Sequence, residues 1–212
     1  MRFLVTAGPT REFIDPFRFL SNPSTGRMGY ALAAAARNRG FPVTLISGPV
    51  CLEPPPGATL IPVNSAREMY AAVRAGFPSC DVLVMAAAVA DWRPAEISRR
   101  KLKKTGRRLL LELVRNPDIL AELGREKGGR ILVGFAAETD NLVDYARDKL
   151  EHKNLDMIVA NDISRRDSGF ASPTNRLIIL RPGVETEYWP VLPKEEAAER
   201  LVKRISESYE DG

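Results

Sequence analysis

Apolar and amphipathic segments alternate along this 212-residue chain, and their spacing predicts its elements. Short apolar runs bounded by Gly, Pro, Asn or Asp predict strands at 2–7, 43–46, 59–63, 81–87, 109–114, 131–137 and 155–160. Residues with helical spacing predict helices at 26–39, 65–75, 141–153 and 194–209, and one more that begins at Asn116. Two runs at 176–180 and 185–189, separated by Arg181-Pro182-Gly183, predict a hairpin.

This order of elements predicts the fold class. Strands that alternate with helices are typical of an α/β protein with a Rossmann-like, doubly wound, mostly parallel sheet and helices on both faces. A basic flap and a C-terminal hairpin are predicted in addition. The chain has no internal repeat and no linker long enough to separate two units, so residues 1–212 are predicted to form a single domain.

The connection between the first strand and the first helix is unusually long. It spans residues 9–25, seventeen in all, where such a connection normally has about 2–6. Ser24, Thr25 and Gly26 would lie at the N-terminus of the helix, where free N–H groups and the helix dipole attract phosphate. An ordinary capped helix behind an irregular loop is the alternative, and the triplet alone does not decide between them.

Polar groups that could bind a ligand follow the first predicted strand and the central predicted strand. In the long connection, Asn22 offers a donor and an acceptor, and Arg18 offers a fork of donors that matches carboxylate or phosphate. The central strand ends in small residues, which let a ligand approach the backbone, and Asp91 follows. Asp91 suits a ribose, a water or Mg²⁺, but it equally suits a turn before Pro94.

Positive charge is concentrated in one segment. Residues 98–108 carry seven positive side chains and no acid, so removing them from the net charge of +4 leaves the rest of the chain at −3. Residues 99–108 are called the basic flap below. Because the flap directly follows a predicted ligand-binding strand end, it is predicted to become ordered when it binds a polyanion. The alternative, which is usual for such segments, is a run of charges that is simply exposed to solvent.

Further candidates lie in the second half of the chain. Asn116-Pro117-Asp118 predicts a helix start with Asn as the N-cap and Pro at the first position. Phe135 stands among small residues, which suits either a flat pocket wall or the core. Lys149 and Lys153 are four residues apart and therefore share one helix face.

Several classes of protein are disfavoured by what the sequence lacks. His152 is the only histidine and the two cysteines, Cys51 and Cys80, fit no metal spacing, so neither a His-based metal cluster nor a Ser-His-Asp triad is well supplied. No apolar run approaches 18 residues, which argues against a membrane-spanning helix. The start of the chain shows no basic-then-apolar leader, so a cytoplasmic protein is expected.

Short motifs along almost the whole chain resemble one family, phosphopantothenate–cysteine ligase. This enzyme is the synthetase half of the bacterial bifunctional coenzyme A biosynthesis flavoprotein. The matching motifs, in order, are A-G-P-T-R-E at 7–12, S-N-x-S-x-G-x-M-G at 21–29, A-A-V-A-D at 87–91, K-x-K-K at 101–104, N-P-D-I at 116–119, G-F-A-A-E-T at 134–139 and A-N-D at 160–162.

The resemblance implies a reaction in two steps. The carboxylate of 4′-phosphopantothenate attacks the α-phosphate of CTP, which gives an acyl-cytidylate and pyrophosphate. The amine of L-cysteine then displaces CMP and forms 4′-phosphopantothenoylcysteine. Mg²⁺ would accompany the triphosphate, near Asp91; no protein metal ligand set is predicted with it.

The resemblance also implies residue roles. Asn22 would steady the acyl-cytidylate, Arg18 would help to hold the reacting carboxylate, and Lys101 would belong to the flap that closes over the intermediate. The remaining predicted nucleotide contacts are Met85, Ala86, Ala87, Asp91, Pro117, Asp118, Ile119, Leu120, Phe135, Lys149 and Lys153. Thr25 and Trp92 stand where the family often has Ser and Tyr, and Thr keeps the hydroxyl.

The family also suggests partners. A homodimer is expected, in which the second subunit helps to complete the phosphopantothenate site. The flavin-dependent decarboxylase half is not in this sequence, so either it is a separate protein or the chain is an excised domain. No membrane or nucleic-acid partner is expected, and the residues alone do not distinguish CTP from ATP.

Two other functions remain open from the sequence. A Rossmann-type oxidoreductase or flavin protein is disfavoured because the G-x-G-x-x-G pattern and the acid at the second strand end are missing. A nucleic-acid-binding module would use the basic flap, and its affinity would fall steeply with salt.

Overall fold

The structure, a computed structural model of the chain, describes residues 1–104, 106–138, 141–162 and 172–210. Five helices lie in these ranges: α1 (Arg27–Asn38), α2 (Ala66–Gly76), α3 (Ile119–Arg125), α4 (Leu142–His152) and α5 (Lys194–Glu210). The strands there are β1 (Phe3–Ala7), β2 (Arg11–Phe13), β3 (Phe19–Ser21), β4 (Val43–Ser47), β5 (Thr59–Pro62), β6 (Val82–Met85), β7 (Trp92–Pro94), β8 (Leu113–Arg115), β9 (Ile131–Glu138), β10 (Met157–Asp162), β11 (Thr174–Leu180) and β12 (Glu187–Pro193). Thr105 of the basic flap and Thr139 of the G-F-A-A-E-T match lie outside the described residues.

Eight strands form the central sheet, in the order β12-β11-β10-β9-β6-β1-β4-β5. The six strands from β10 to β5 pair in parallel, and β11 and β12 add an antiparallel edge. The chain starts in the middle at β1, winds outwards through β4 and β5, and then returns to wind the other way through β6, β9 and β10. This is a doubly wound sheet, so the predicted α/β, Rossmann-like fold class with a C-terminal hairpin is confirmed.

Helices cover both faces of the sheet. On one face, α1 and α5 pack side by side, and Leu32 and Leu201 are buried in the core that they share with the sheet. On the other face, α2, α3 and α4 bury residues such as Met69 and Leu123. Each large apolar side chain removed from water in this way contributes about 1.5–3 kcal/mol, so the two cores hold the layers together.

None of the helices in the described ranges is both long and apolar enough to cross a membrane.

The long connection after β1 is not an irregular loop. Its middle part forms the antiparallel pair β2–β3, in which Arg11 lies opposite Ser21 and Phe13 opposite Phe19. The two phenylalanine rings meet edge to face with centroids 5.5 Å apart, which stabilises this short ladder. A hairpin therefore projects from the carboxyl end of the first strand.

The strand predicted at 109–114 is wrong in extent and in place. Only Leu113–Arg115 forms a strand, β8, and it pairs with β7 outside the central sheet. Leu110 is 92% exposed, because no element of the described chain covers this run of leucines. Apolar composition alone suggested a buried strand where the structure has a surface segment.

The start of α1 lies unusually close to β1. A Cβ added at Gly29 would lie 2.6 Å from the Ala7 Cβ and 2.7 Å from the Thr6 carbonyl oxygen. Real Cβ atoms do not make contacts this short, so only glycine lets the helix approach the strand here. The position of the α1 N-terminus over the strand end depends on this contact.

Gly29→Ala is therefore expected to destabilise the protein by about 1–3 kcal/mol, because the added methyl group must push α1 away from β1. Urea unfolding followed by circular dichroism measures the change. Gly129→Ala is the matched control, because a Cβ at Gly129 would meet nothing within 4 Å. Equal stability of the two variants would contradict the close-contact explanation.

Candidate active site

A pocket with a volume of about 760 Å³ lies at the carboxyl edge of the parallel strands. It opens where β1 and β6 are neighbours and their connections leave in opposite directions, which is where doubly wound sheets bind ligands. The lining comprises Asn22, residues 24–29, 85–92 and 115–120, Phe135, Ala136, Lys149, Lys153, Asn161, Asn175 and Lys194.

One wall of the pocket is the backbone that continues β6, residues 86–90. The Ala87 N–H donates to the Thr6 hydroxyl at 3.1 Å, and the Ala90 N–H donates to the Thr10 hydroxyl at 3.0 Å. Both threonines are fully buried. These bonds hold a segment that lies outside the regular ladder, and its small side chains leave the backbone accessible from the pocket.

Asn22 joins the exit of the hairpin to this wall. Its amide nitrogen donates to the carbonyls of Ala88 at 3.2 Å and Val89 at 3.3 Å. The side chain is half-buried and lines the pocket. The amide is therefore positioned by the wall.

The N-terminus of α1 forms the floor of the pocket next to Asn22. Gly26 is the N-cap with φ of 76°, and no described side chain caps the helix. The first turn carries no acid, and its first residue is the exposed Arg27. The N–H groups of the first turn, the helix dipole and a nearby guanidinium together favour an anion at this position.

The helix start at α3 differs from the prediction. Asp118, not Asn116, is the N-cap, and its carboxylate accepts from the Ala121 N–H at 3.1 Å. Asn116 instead donates to the Ala90 carbonyl at 2.8 Å and accepts from Arg93 at 3.3 Å. Because the Asn116 amide is engaged by the wall segment, the carboxylate two residues later caps the helix.

Two lysines of the α4 region face the pocket from its other side. Lys153, directly after α4, lies 2.9 Å from the Asp118 carboxylate, so this ion pair connects the end of α4 to the start of α3. Lys149, one turn earlier, also lines the pocket. The pair places positive charge opposite the N-terminus of α1.

Asp91 is exposed at the rim of the pocket. Among the residues that the structure describes, no three His, Cys, Asp or Glu side chains are grouped as a metal site. One accessible carboxylate beside an anion site is nevertheless the donor set with which proteins bind Mg²⁺ that is carried on phosphates.

Arg18 lies at the tip of the hairpin, outside the pocket lining. Its guanidinium is 2.5 Å from the fully buried Asp15 carboxylate and donates to the Leu102 carbonyl at 3.0 Å. Asp15 also accepts from the Leu102 N–H at 3.1 Å. The hairpin therefore binds the backbone of the basic flap at one residue, Leu102, through hydrogen bonds to its N–H and carbonyl groups.

Asp15 is ionised by its surroundings. The Arg18 guanidinium holds the pKa of the Asp15 carboxyl well below its usual range, against the opposing effect of burial, and N–H groups of Phe17 and Leu102 add to the lowering. Lys101, next to the gripped residue, lies with its ammonium 5.2 Å from the centre of the exposed Phe17 ring. In this arrangement Lys101 rests on the hairpin rather than in the pocket.

The chain has recognisable relatives. A family model described as the DNA/pantothenate metabolism flavoprotein C-terminal domain matches residues 1–209. The chain belongs to this family.

Its relatives are coenzyme A biosynthesis proteins. The chain is 47% identical over 204 residues to the bifunctional protein CoaBC of Bacillus subtilis, covering 96% of the chain and 50% of the relative. With CoaBC of Escherichia coli K12 the identity is 43% over 215 residues, 100% of the chain and 53% of the relative. The chain thus spans about half the length of these relatives.

Solved structures of the family share the fold. A crystal structure of the C-terminal domain of CoaBC superposes with a TM-score of 0.86 at 43% identity, covering 100% of this chain and 96% of that one. A Cab2 mutant in complex with phosphopantothenate-cysteine reaches a TM-score of 0.81 at 16% identity, over 98% of this chain and 86% of that one, and this likeness shows the fold alone.

The structure brings together most of the family residues that the sequence predicted. The members that line the pocket are Asn22, Ser24, Thr25, Gly26, Met85, Ala86, Ala87, Asp91, Pro117, Asp118, Ile119, Leu120, Phe135, Lys149 and Lys153. Phe135 is half-buried and both packs against the core and lines the pocket. Arg18 and Lys101 are absent from the lining, and the roles of all these residues remain predictions.

Other residues were missed from the sequence. Thr6 and Thr10 hold the wall, but a threonine in a buried strand gives no separate signal. Asn175 on β11 and Lys194 at the start of α5 also line the pocket, although the resemblance carries little over the final hairpin and helix. Arg27 was adjacent to the predicted anion site and could have been named.

Asp15→Asn tests how much the charged Asp15 carboxylate, which binds Arg18 and the Leu102 N–H, stabilises the protein. Because the pKa of Asp15 is lower in the folded than in the unfolded chain, its stabilising contribution is fully present above a pH of about 4 and declines as the pH falls from there towards the lowered pKa of the folded chain. The variant is expected to melt several degrees lower than the parent at pH 7, and the difference is expected to shrink towards pH 3.

Thermal unfolding of both proteins between pH 7 and pH 3 measures this, with the exposed Glu199→Gln as control. A difference that stays constant across this range would show that the charge of Asp15 is not what stabilises the hairpin.

Proposed function

We propose that this chain is a ligase that joins 4′-phosphopantothenate to L-cysteine at the expense of CTP. The products are 4′-phosphopantothenoylcysteine, CMP and pyrophosphate, and the intermediate is an acyl-cytidylate. The relatives' role in coenzyme A biosynthesis supports the pathway. We propose a cytoplasmic enzyme that works beside a phosphopantothenoylcysteine decarboxylase, in the same or a separate chain.

The observation that supports the proposal best is the combination of features in one pocket. A helix N-terminus that favours an anion, a backbone wall of small residues and two lysines face each other across the switch point of the sheet. A nucleoside triphosphate has matching parts: phosphates for the helix N-terminus, and a ribose and base for the wall and the opposite helices.

The first step needs little covalent chemistry from the protein. A carboxylate oxygen attacks the α-phosphorus, the bond to the bridging oxygen breaks, and pyrophosphate leaves with the electron pair. The Asn22 amide, positioned by the Ala88 and Val89 carbonyls, lies beside the α1 N-terminus, where it would orient the acyl phosphate. Arg18 would reach the acid only after leaving Asp15.

The second step needs the flap. The cysteine nitrogen attacks the acyl carbon, the bond from that carbon to the phosphate oxygen breaks, CMP leaves, and the amine proton passes to solvent. Lys101 would move from the Phe17 ring to the phosphate and stabilise the charge that develops there. The grip of Asp15 on Leu102 gives this movement a fixed base.

Mg²⁺ fits the pocket as a companion of the triphosphate. The exposed Asp91 carboxylate, with phosphate oxygens and water, would hold it. When bound, the ion would neutralise charge on the phosphates.

A homodimer is also proposed. The hairpin and the segment that leads into β8 expose large apolar side chains, including Phe17 at 66% and Leu110 at 92%. Exposed apolar groups of this kind are typical of a protein interface when they lie together.

Pyrophosphate release measures the proposed reaction. The protein is expected to release pyrophosphate from CTP only when 4′-phosphopantothenate is present, and to form the peptide-like product only when L-cysteine is added. ATP, GTP and UTP under the same conditions test the choice of nucleotide. Release that needs no phosphopantothenate, or tight binding of NADPH or FMN instead, would contradict the proposal.

Lys101→Gln separates the two half-reactions. The variant is expected to release pyrophosphate but to accumulate the acyl-cytidylate, with cysteine-dependent product slowed at least roughly tenfold because the cation that stabilises the departing phosphate is lost. Mass spectrometry of the quenched reaction detects the intermediate. Lys203→Gln, an exposed lysine on α5, is the matched control. Full product formation by the Lys101 variant would refute its role.

A further inference from the structure

One end of the pocket is built from parts of the chain that the family resemblance left without a role. Lys194 is the first residue of α5, Asn175 lies on β11, and Arg27 is the first residue of α1. All three line the pocket, on the side of the sheet covered by α1 and α5. They lie around the N-terminus of α1.

Lys194 is a buried cation at this end. The residue is only 3% exposed, and its ammonium donates to the Ser172 carbonyl at 2.6 Å. Burial, and after it the positive charge of Arg27, lowers the pKa of Lys194. Glu195 acts on this pKa in the opposite direction. Lys194 and Arg27 thus lie close enough to interact electrostatically in the pocket, and an anion bound there would be attracted to both.

Asn175 provides a second, independent sign of a ligand. The residue is 4% exposed, and its side-chain oxygen is buried without a hydrogen-bond partner among the described residues. Its amide nitrogen donates to the Met28 sulfur at 3.6 Å, which is a weak acceptor. A buried oxygen left in this state costs about 1–3 kcal/mol unless a donor from a ligand or its hydration shell reaches it.

We propose that Lys194, Arg27 and Asn175 form the subsite for the two terminal phosphates of the nucleotide, and hence for the pyrophosphate that leaves. The inference rests on the proposed function and extends it.

The chemistry matches a terminal polyphosphate. The two side-chain cations and the N–H groups of α1 suit its negative oxygens. The Asn175 oxygen is an acceptor, so it would bind the proton that a terminal phosphate carries near neutral pH, or a water between them. CMP lacks the two terminal phosphates, so its binding would not depend on this subsite.

Lys194→Met is the first test. By isothermal titration calorimetry, the variant is expected to bind CTP and inorganic pyrophosphate about tenfold to a hundredfold more weakly than the parent, and to bind CMP equally well. The difference between CTP and CMP is the decisive readout, because a general packing defect would weaken both. Lys203→Met on the same helix is the matched control.

Arg27→Gln and Asn175→Asp keep the proposal testable if the buried lysine cannot be replaced without unfolding. Arg27 is exposed, so its loss leaves the core intact, and aspartate has nearly the size of asparagine while adding a negative charge. Both are expected to weaken CTP and pyrophosphate binding without changing that of CMP.

Three results would overturn the subsite. One is parent-like binding of CTP and pyrophosphate by Lys194→Met, and another is an equal loss for CMP. The third is a raised KM for L-cysteine with unchanged CTP affinity, which would place the amino acid's carboxylate there instead. A parent protein that binds CTP while these variants bind it equally tightly refutes the subsite alone, whereas a parent that binds no nucleotide refutes the proposed function as well.

Discussion

The structure depends on how the backbone hydrogen-bonding groups of two parallel strands find partners where the strands separate. β1 and β6 pair regularly as far as Thr6 and Met85, and after one further parallel bridge, between Pro9 and Ala88, their connections separate. The segment 86–90 would then carry unpaired peptide groups at a crevice, each costing about 1–3 kcal/mol if buried. The hydroxyls of Thr6 and Thr10 and the amides of Asn22 and Asn116 bind these groups instead. A rigid wall results, and a pocket can exist beside it.

The same constraint explains the hairpin. In dinucleotide-binding sheets, closely spaced glycines make the turn after the first strand, allow a phosphate to approach and let the helix pack on the strand. Here Gly8 and Gly26 both have φ of 76°, and Gly29 makes the close packing contact. The hairpin is inserted between the first two of these glycines. The glycine roles are therefore present although the usual spacing is not, and the inserted residues add Asn22 to the wall and Asp15 to the base of the flap.

Much of the fold could be predicted because its signals are local. The strand and helix of each unit follow from apolar spacing, and the parallel arrangement follows from their alternation. The exposure of the three leucines at 109–111 could not be predicted. An apolar run in the sequence is the same whether or not a neighbouring strand covers it in the structure. Asn116 was interpreted as a cap because the Asn-Pro-Asp pattern suits one, yet its amide binds Ala90, twenty-six residues away. Such a choice depends on a tertiary contact.

In the candidate site, too, some residues could be predicted from local signals, whereas others depend on tertiary contacts. Residues that lie next to a strand end or a helix start could be named, because parallel strands bring those positions to one edge of the sheet. Arg18 carries the right chemistry, but the structure engages it with Asp15, three residues earlier, and this competition is not visible in the sequence. Asn175 and Lys194 reach the pocket only because the antiparallel strand β11 begins, and α5 starts, at the edge where the parallel strands end. An added hairpin thus returns the chain to its own ligand site.

Because β11 and α5 bring residues to the pocket, positive charge reaches it from both faces of the sheet. Four of the positive groups at the pocket come from opposite faces of the sheet: Lys149 and Lys153 from α4 and its end, and Arg27 and Lys194 from α1 and α5. Two cation groups separated by the sheet edge suit a long ligand with anionic or polar groups at both ends better than a compact ion. In the proposed reaction, the bond that breaks would lie between them, against the wall. A nucleotide held at both ends would keep its α-phosphate in place while the bond to the leaving pyrophosphate is broken, which is positioning rather than acid–base catalysis.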